Sequence, residues 1–216
     1  MRLILASTSP RRYELLRLLQ IPFEVAEPTF VEQFTREAGP EQQARFFAEQ
    51  KARSCAQHFP EALILASDTL ISVGADILGK PADPAASAAM LKQLRGRAHT
   101  IHTAVALGRP ADLVWDVAVE TVQVWMRDFS EAEAEAYLRS GEGMGKAGAY
   151  SIQGLGGDLV SRIEGDYPAV VGLPLRLVAR LLQHRGVTLP LDVEELYRNK
   201  PYPNWKRFDV TDESKA

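Results

Sequence analysis

Short apolar runs alternate with amphipathic stretches over the first part of the chain. Leu3-Ile4-Leu5-Ala6 reads as a buried strand, followed by the hydroxyl-rich turn Ser7-Thr8-Ser9. Pro10 suits the first turn of a helix capped by Ser9, and Leu15, Leu18 and Leu19 give that helix an i, i+3, i+4 stripe. Phe23-Glu24-Val25 reads as a short strand, and 27–39 as polar and irregular. Pro40 opens a second helix to about Phe59, with Phe47, Ala48, Ala52 and Cys55 on its apolar side and Lys51 bordering that face. Leu63-Ile64-Leu65-Ala66 is a further buried strand. Asp68, in Ala66-Ser67-Asp68-Thr69, is therefore expected where a strand ends, the position at which open α/β sheets hold ligands.

The rhythm then changes. Leu70–Val73 and Asp76–Leu78 flank Gly74-Ala75 as a hairpin. Asp83-Pro84 starts a helix with Ala88, Leu91 and Leu94 facing inward and Gly96 as its stop. Two long extended segments, Thr100–Leu107 and about Val114–Met126, suggest antiparallel strands. Ser130 and Glu133 form a capping box for a helix to about Arg139. A glycine-dense stretch from Gly141 to Gly157 holds Lys146, Tyr150 and Gln153. Leu159–Ile163 reads as a strand, Ala169–Leu173 leads to Pro174, and Pro174 opens a last core helix with Leu177, Leu181 and Leu182. From Leu189 the composition shifts. A short helix is expected around Val193–Tyr197, then an extended tail that Trp205 and Phe208 dock or that stays disordered.

Composition narrows the function classes. The 216 residues, 46% hydrophobic and 25% charged, suit one generous domain or two small lobes. A net charge of −3 argues against a duplex nucleic-acid binder. A single cysteine, Cys55, reads as a small buried hydrophobe, and with four histidines a zinc cluster is not expected. No apolar run approaches the ~20 residues of a membrane span. The N-terminus is too short in apolar residues for a signal peptide, so a cytoplasmic protein is expected.

The polar residues that this pattern leaves over carry the chemistry. Arg11 and Arg12 sit at a helix start whose N–H groups suit an anion. Lys51, Lys80 and Lys146 add cations; Asp68 and Glu32 add carboxylates; Ser7 and Gln153 add neutral polar groups. Cations and two carboxylates at one site would suit a polyphosphate with a divalent metal, because Mg²⁺ takes one or two carboxylates plus phosphate oxygens. Such a set points to hydrolysis of a nucleotide-like phosphoanhydride.

Seven segments, in order, resemble the Maf family of nucleoside triphosphate pyrophosphatases: Ser7–Arg12, Glu49–Ala52, Ser67–Thr69, Gly79–Pro81, His102–Ala106, Lys146–Gly154 and Val171–Leu175. The resemblance covers roughly Leu3 to Leu182 and implies a two-lobed α/β fold. Its elongated mixed β-sheet, flanked by helices, would be related to inosine triphosphatases, with the active-site cleft between the lobes. Residues 1–188 would form this domain and 189–216 an extension. The resemblance implies hydrolysis of dTTP and UTP, with modified pyrimidine nucleotides as further candidates, to the monophosphate and pyrophosphate. Asp68 matches the proton acceptor; Ser7, Arg11, Arg12, Lys51, Lys80 and Gln153 match substrate-binding positions; Glu32 and Asp68 match metal-binding ones, for Mg²⁺ or Mn²⁺. Arg12, Thr69 and Gln153 match the pyrimidine-preferring branch rather than the 7-methyl-GTP branch. One departure stands out: Gly141-Glu142-Gly143-Met144-Gly145 replaces a Glu-Pro-x-Asp run, which is expected to loosen that loop and base selection. A nucleotide-binding regulator without turnover, a nucleotidyltransferase and a related enzyme preferring 7-methyl-GTP or CTP remain open, as does a homodimer. No nucleic-acid or membrane partner is expected.

Overall fold

In the computed structural model, which describes residues 2–35, 37–112 and 114–208, a mixed seven-stranded sheet carries helices on both faces. Its elements are β1 (Leu3–Ala6), α1 (Pro10–Arg17), β2 (Glu24–Ala26), α2 (Pro40–Ala56), β3 (Leu63–Val73) and β4 (Asp76–Leu78). Then follow α3 (Pro84–Leu94), β5 (Ala98–Gly108), β6 (Asp116–Met126), α4 (Glu131–Ser140) and β7 (Val160–Glu164). The chain continues through α5 (Tyr167–Val171), α6 (Leu175–His184), α7 (Val193–Asn199) and α8 (Pro203–Phe208). The strand order is β2-β1-β3-β5-β6-β7, with β4 paired to β3. β1 runs parallel to β2 and β3, whereas β3, β5, β6 and β7 form an antiparallel half.

β3 joins the two halves and positions the site. It is one strand of 11 residues, so Asp68 lies at its middle, not at its end. The expectation of a strand terminus is corrected, and the reason is in the pairing. β1 pairs with β3 only as far as Leu5↔Leu65, and β4 pairs with it only from Ile71↔Leu78. Between those limits the β1 side of β3 carries no described strand, while β5 continues on its other side through Asp68↔Ala104. The strand that ends at the cleft is β1, and Ser7 follows it directly.

Side-chain alternation then decides what each residue meets. Ile4, Ala6, Ile64, Ala66 and Leu70 share one core with Ala44, Phe47, Ala48 and Ala52 of α2. Leu3, Leu5, Leu63, Leu65 and Ile71 share the other with α1, α3, α5 and α6. Asp68 has the parity of Ala66 and Leu70, which turns it toward α2; Ser67 and Thr69 turn toward α1 and α5.

Local signals explain most termini. Ser9, Asp83 and Ser130 cap α1, α3 and α4, the last through a complete capping box. Gly74-Ala75 turns the β3–β4 hairpin between Val73 and Asp76, Gly74 at φ +59°. The Ala169–Leu173 stretch is largely helical, forming α5 with Asp166 as its cap. α1 buries Leu16 as well as Leu15, and on α3 Ser87 is buried while Ala88 is only partly covered. The expected extended tail is helical from Pro203 to Phe208, and Trp205 and Phe208 are both buried. The rest of that tail, 209–216, lies outside the described residues. Among the described residues no helix is long and apolar enough to cross a membrane.

Candidate active site

A cleft of about 610 Å³ opens where β1 stops beside β3. Its walls bring together every site residue expected from the sequence: Ser7, Arg11, Arg12, Glu32, Lys51, Asp68, Thr69, Lys80, Lys146 and Gln153.

The floor is the acid–lysine cluster. Lys51, one helical turn beyond Phe47 on α2, hydrogen-bonds Oδ1 of Asp68 and donates to Oε1 of Glu32 at 2.5 Å. Its ammonium therefore bridges the two carboxylates. Asp68 is only 3% exposed, and burial raises its pKa above the usual carboxylate range although Lys51 and Arg12 pull the other way. Burial also pushes Glu32 upward, but the hydrogen bond and charge of Lys51 carry its pKa below the ordinary value. The second oxygen of Asp68, Oδ2, is buried with no hydrogen-bond partner among the described residues. A buried acceptor left unpaired costs about 1–3 kcal/mol, so a donor or cation that reached this oxygen would be stabilised there.

The α1 corner supplies the cations. Ser7 Oγ accepts the Ser9 N–H at 3.1 Å, which shapes the turn. Arg12 is locked by a hydrogen bond from Nε to the Gly172 carbonyl (3.0 Å) and from Nη2 to Thr69 Oγ1 (3.3 Å). Ser67 Oγ donates to the same Gly172 carbonyl at 2.9 Å. The Thr69 and Thr103 hydroxyls lie 3.1 Å apart, and Thr103 donates onward to the Ala169 carbonyl. Arg12 and Thr69 are thus one assembly tied to α5. Burial lowers the pKa of both arginines; Tyr137 and Glu142 oppose this at Arg11, and Asp68 opposes it at Arg12. Within the described residues the side chains of Arg11, Lys80 and Gln153 make no hydrogen bond. A partly buried guanidinium that makes no hydrogen bond is a ready anion site.

The glycine-dense loop is better held than expected. Glu142 carries its carboxylate to the N–H groups of Leu155 (2.9 Å) and Gly156 (3.1 Å) and accepts the Tyr137 hydroxyl at 3.3 Å. Tyr137 in turn accepts the Ser151 N–H at 3.1 Å, and Lys146 donates to the Glu142 carbonyl. A Cβ at Gly143 would stand 2.1 Å from the Ala149 carbonyl oxygen, so the backbone here packs too closely for a side chain. Close backbone packing and the Glu142 carboxylate hold the loop where looseness was expected. Glu142 and Tyr137 were missed by sequence reasoning. The capping-box helix ending at Gly141 gave a signal for the loop's start, but nothing local marked its anchors.

The two carboxylates on one lysine, one of them with an orphaned oxygen, fit a divalent metal shared with a substrate's phosphates. Among the described residues no group of three or more His, Cys, Asp or Glu could hold a metal by itself.

A basic cleft with paired carboxylates, set where a parallel strand stops in a mixed sheet, defines a class: α/β proteins that handle a polyanion, with phosphate as its natural form. Comparison with known proteins narrows it. A family model described as "Maf-like protein" matches residues 2–185. The dTTP/UTP pyrophosphatase of Deinococcus radiodurans is 45% identical over 187 residues, covering 87% of this chain and 94% of that one. The dTTP/UTP pyrophosphatase of Bacillus velezensis is 41% identical over 186 residues, covering 86% and 97%. Among solved structures, the Staphylococcus aureus Ham1 protein aligns with 59% of this chain and 73% of its own at 15% identity and a TM-score of 0.43. The chain belongs to the Maf family.

Proposed function

We propose that this protein hydrolyses UTP and dTTP, and modified pyrimidine nucleoside triphosphates of similar shape, to the nucleoside monophosphate and pyrophosphate. The observation that carries this reading is the unpartnered Oδ2 of the buried Asp68, in a cleft that the cations Arg11, Arg12, Lys51 and Lys80 also line. A water held at Oδ2 attacks the α-phosphorus and gives its proton to the carboxylate. The new P–O bond forms as the bond to the β-phosphate oxygen breaks, and pyrophosphate leaves. Arg11, Arg12, Lys51 and Lys80 neutralise the charge that grows on the departing group. Glu32 and Asp68 would hold Mg²⁺ or Mn²⁺, which supplies further neutralisation of the phosphoryl oxygens when bound. Thr69 and Arg12 form one wall near the base, and Gln153, whose amide both donates and accepts, reads the pyrimidine edge.

Residues 1–188 form the catalytic domain in this reading, and 189–216 an extension. The proposed setting is the cytoplasm, and a homodimer is compatible with it.

The test is a panel of nucleoside triphosphates with Mg²⁺, read by pyrophosphate release and by the nucleotide product. UTP and dTTP should give the monophosphate and pyrophosphate. Tight binding without release would favour a regulatory nucleotide binder, and preference for 7-methyl-GTP or CTP would move the protein to another branch. Gln153→Glu should lower kcat/KM for UTP about tenfold or more, since it replaces a donor facing the base by an acceptor. An unchanged substrate ranking in that variant would remove Gln153 as the reader.

A further inference from the structure

The last described helix, α8, reaches back to the loop that carries Gln153. Asn204 Nδ2 donates to the carbonyl of Ile152 at 2.6 Å and to that of Gly154 at 3.3 Å. These are the two carbonyls on either side of Gln153. The approach is close enough that a Cβ at Gly157 would stand 2.5 Å from Nδ2 and 2.8 Å from the Ile152 oxygen. Glycine at 157 is what admits the amide. Arg207, one turn along α8, pairs with Asp158 at 2.7 Å and ties the same segment a second time. Trp205 lies between them in sequence and is fully buried, stacked on Tyr167 with ring centroids 5.7 Å apart. The helix that presents Asn204 is therefore anchored in the core.

The loop is held from two directions. Its N–H groups at Ser151, Leu155 and Gly156 go to Tyr137 and Glu142, within the family-matched part of the chain. Its carbonyls at Ile152 and Gly154 go to Asn204, which lies beyond residue 185, where the family match stops. Gln153 sits between those carbonyls, with its own side chain unbonded and lining the cleft.

We propose that Asn204 is a positioning residue for Gln153: the C-terminal extension fixes the orientation of the base-reading amide and so sets the sharpness of pyrimidine selection. The proposal deepens the functional reading above and rests on Gln153 contacting the base. The extension is thereby part of the substrate site although no residue of α8 needs to touch the nucleotide. One amide holds the Ile152 carbonyl, in the peptide plane that precedes Gln153, and the Gly154 carbonyl, one plane further on, and so pins the backbone at both ends of the segment that carries Gln153. Release of that amide spreads Gln153 over several orientations, and binding then pays to select one of them.

The test is steady-state kinetics of Asn204→Ala, Gln153→Ala and the double variant on UTP, dTTP and CTP with Mg²⁺, with a melting curve for each protein. Loss of a hydrogen-bonded brace should raise KM for UTP by about three- to tenfold and narrow the preference for UTP over CTP by a similar factor. kcat should change less than KM. In the Gln153→Ala background Asn204→Ala should have little further effect on selectivity, because the two act through one group. Should the alanine variant melt too early to assay, Asn204→Ser, whose shorter hydroxyl cannot span both carbonyls, is assayed in its place and reads the same way. If selectivity is untouched by Asn204→Ala but lost in Gln153→Ala, Asn204 is only a structural contact and the proposal is overturned while the role of Gln153 stands. If Gln153→Ala itself leaves the UTP preference intact, the base-reading role of Gln153 falls and this proposal falls with it.

Discussion

Asp68→Asn is expected to lower kcat on UTP by on the order of 10²-fold or more, the scale of losing a general base. The substitution is close to isosteric, so β3 keeps its pairing with β5 through Asp68↔Ala104. Lys51 keeps a charged partner in Glu32, 2.5 Å away. The variant should therefore fold, and its melting temperature should stay near that of the parent. Nucleotide affinity measured without Mg²⁺ should be retained or improved, because a negative charge is removed from beside a polyanion. Calorimetric titration with UTP, without and with Mg²⁺, set against pyrophosphate release, separates loss of the base from loss of a metal ligand. Loss of turnover with binding intact supports Asp68 as the group that takes the proton. Near-normal turnover would remove it from the chemistry, and Glu32 would be the remaining carboxylate able to act.

The placement of Asp68 also shows what the sequence did and did not reveal. Ser67-Asp68-Thr69 interrupts an apolar run, and local pattern alone divides β3 there. In the folded chain the interruption has three different causes. Asp68 faces α2 and meets Lys51; Ser67 and Thr69 face the other way, Ser67 donating to Gly172 and Thr69 accepting from Arg12. The strand continues because each polar side chain finds a partner far along the chain, which no window of neighbouring residues can display. Features closed within a few residues were legible: the Ser9 cap, the Gly74-Ala75 turn and the Ser130–Glu133 capping box. The motif residues of the cleft were legible too, through their resemblance to a family. The anchors of the Gln153 loop were not. Glu142 reaches residues 13 and 14 positions away, and Asn204 reaches residues 52 and 50 positions away. α5 was missed although Asp166 and Pro168 are a start signal, because Ala169–Leu173 was read only as the approach to Pro174.

Trp205→Ala should cost about 3–5 kcal/mol of stability, the range for emptying a buried aromatic site. In a chain of this size that lowers the melting temperature by about 10 °C. Trp205 is fully buried, stacked on Tyr167 and edge-on to Tyr197 at 4.9 Å, and Tyr167 begins the helix whose far end is followed by Gly172, the carbonyl that holds Arg12. The residue thus couples the extension to the family domain through its core. Trp205→Phe should cost markedly less. Phenylalanine keeps both ring contacts and removes an indole N–H that is buried without a partner. Chemical and thermal unfolding of the two variants, followed by an overall probe such as circular dichroism, checks the ranking. If the extension were an independent appendage, Trp205→Ala would detach α8 and leave the main transition in place. A single transition moved to lower temperature shows instead that 193–208 unfolds with the rest. Assayed below that transition, Trp205→Ala should also weaken discrimination between UTP and CTP, because an α8 that loses its anchor no longer holds Asn204 against the carbonyls beside Gln153.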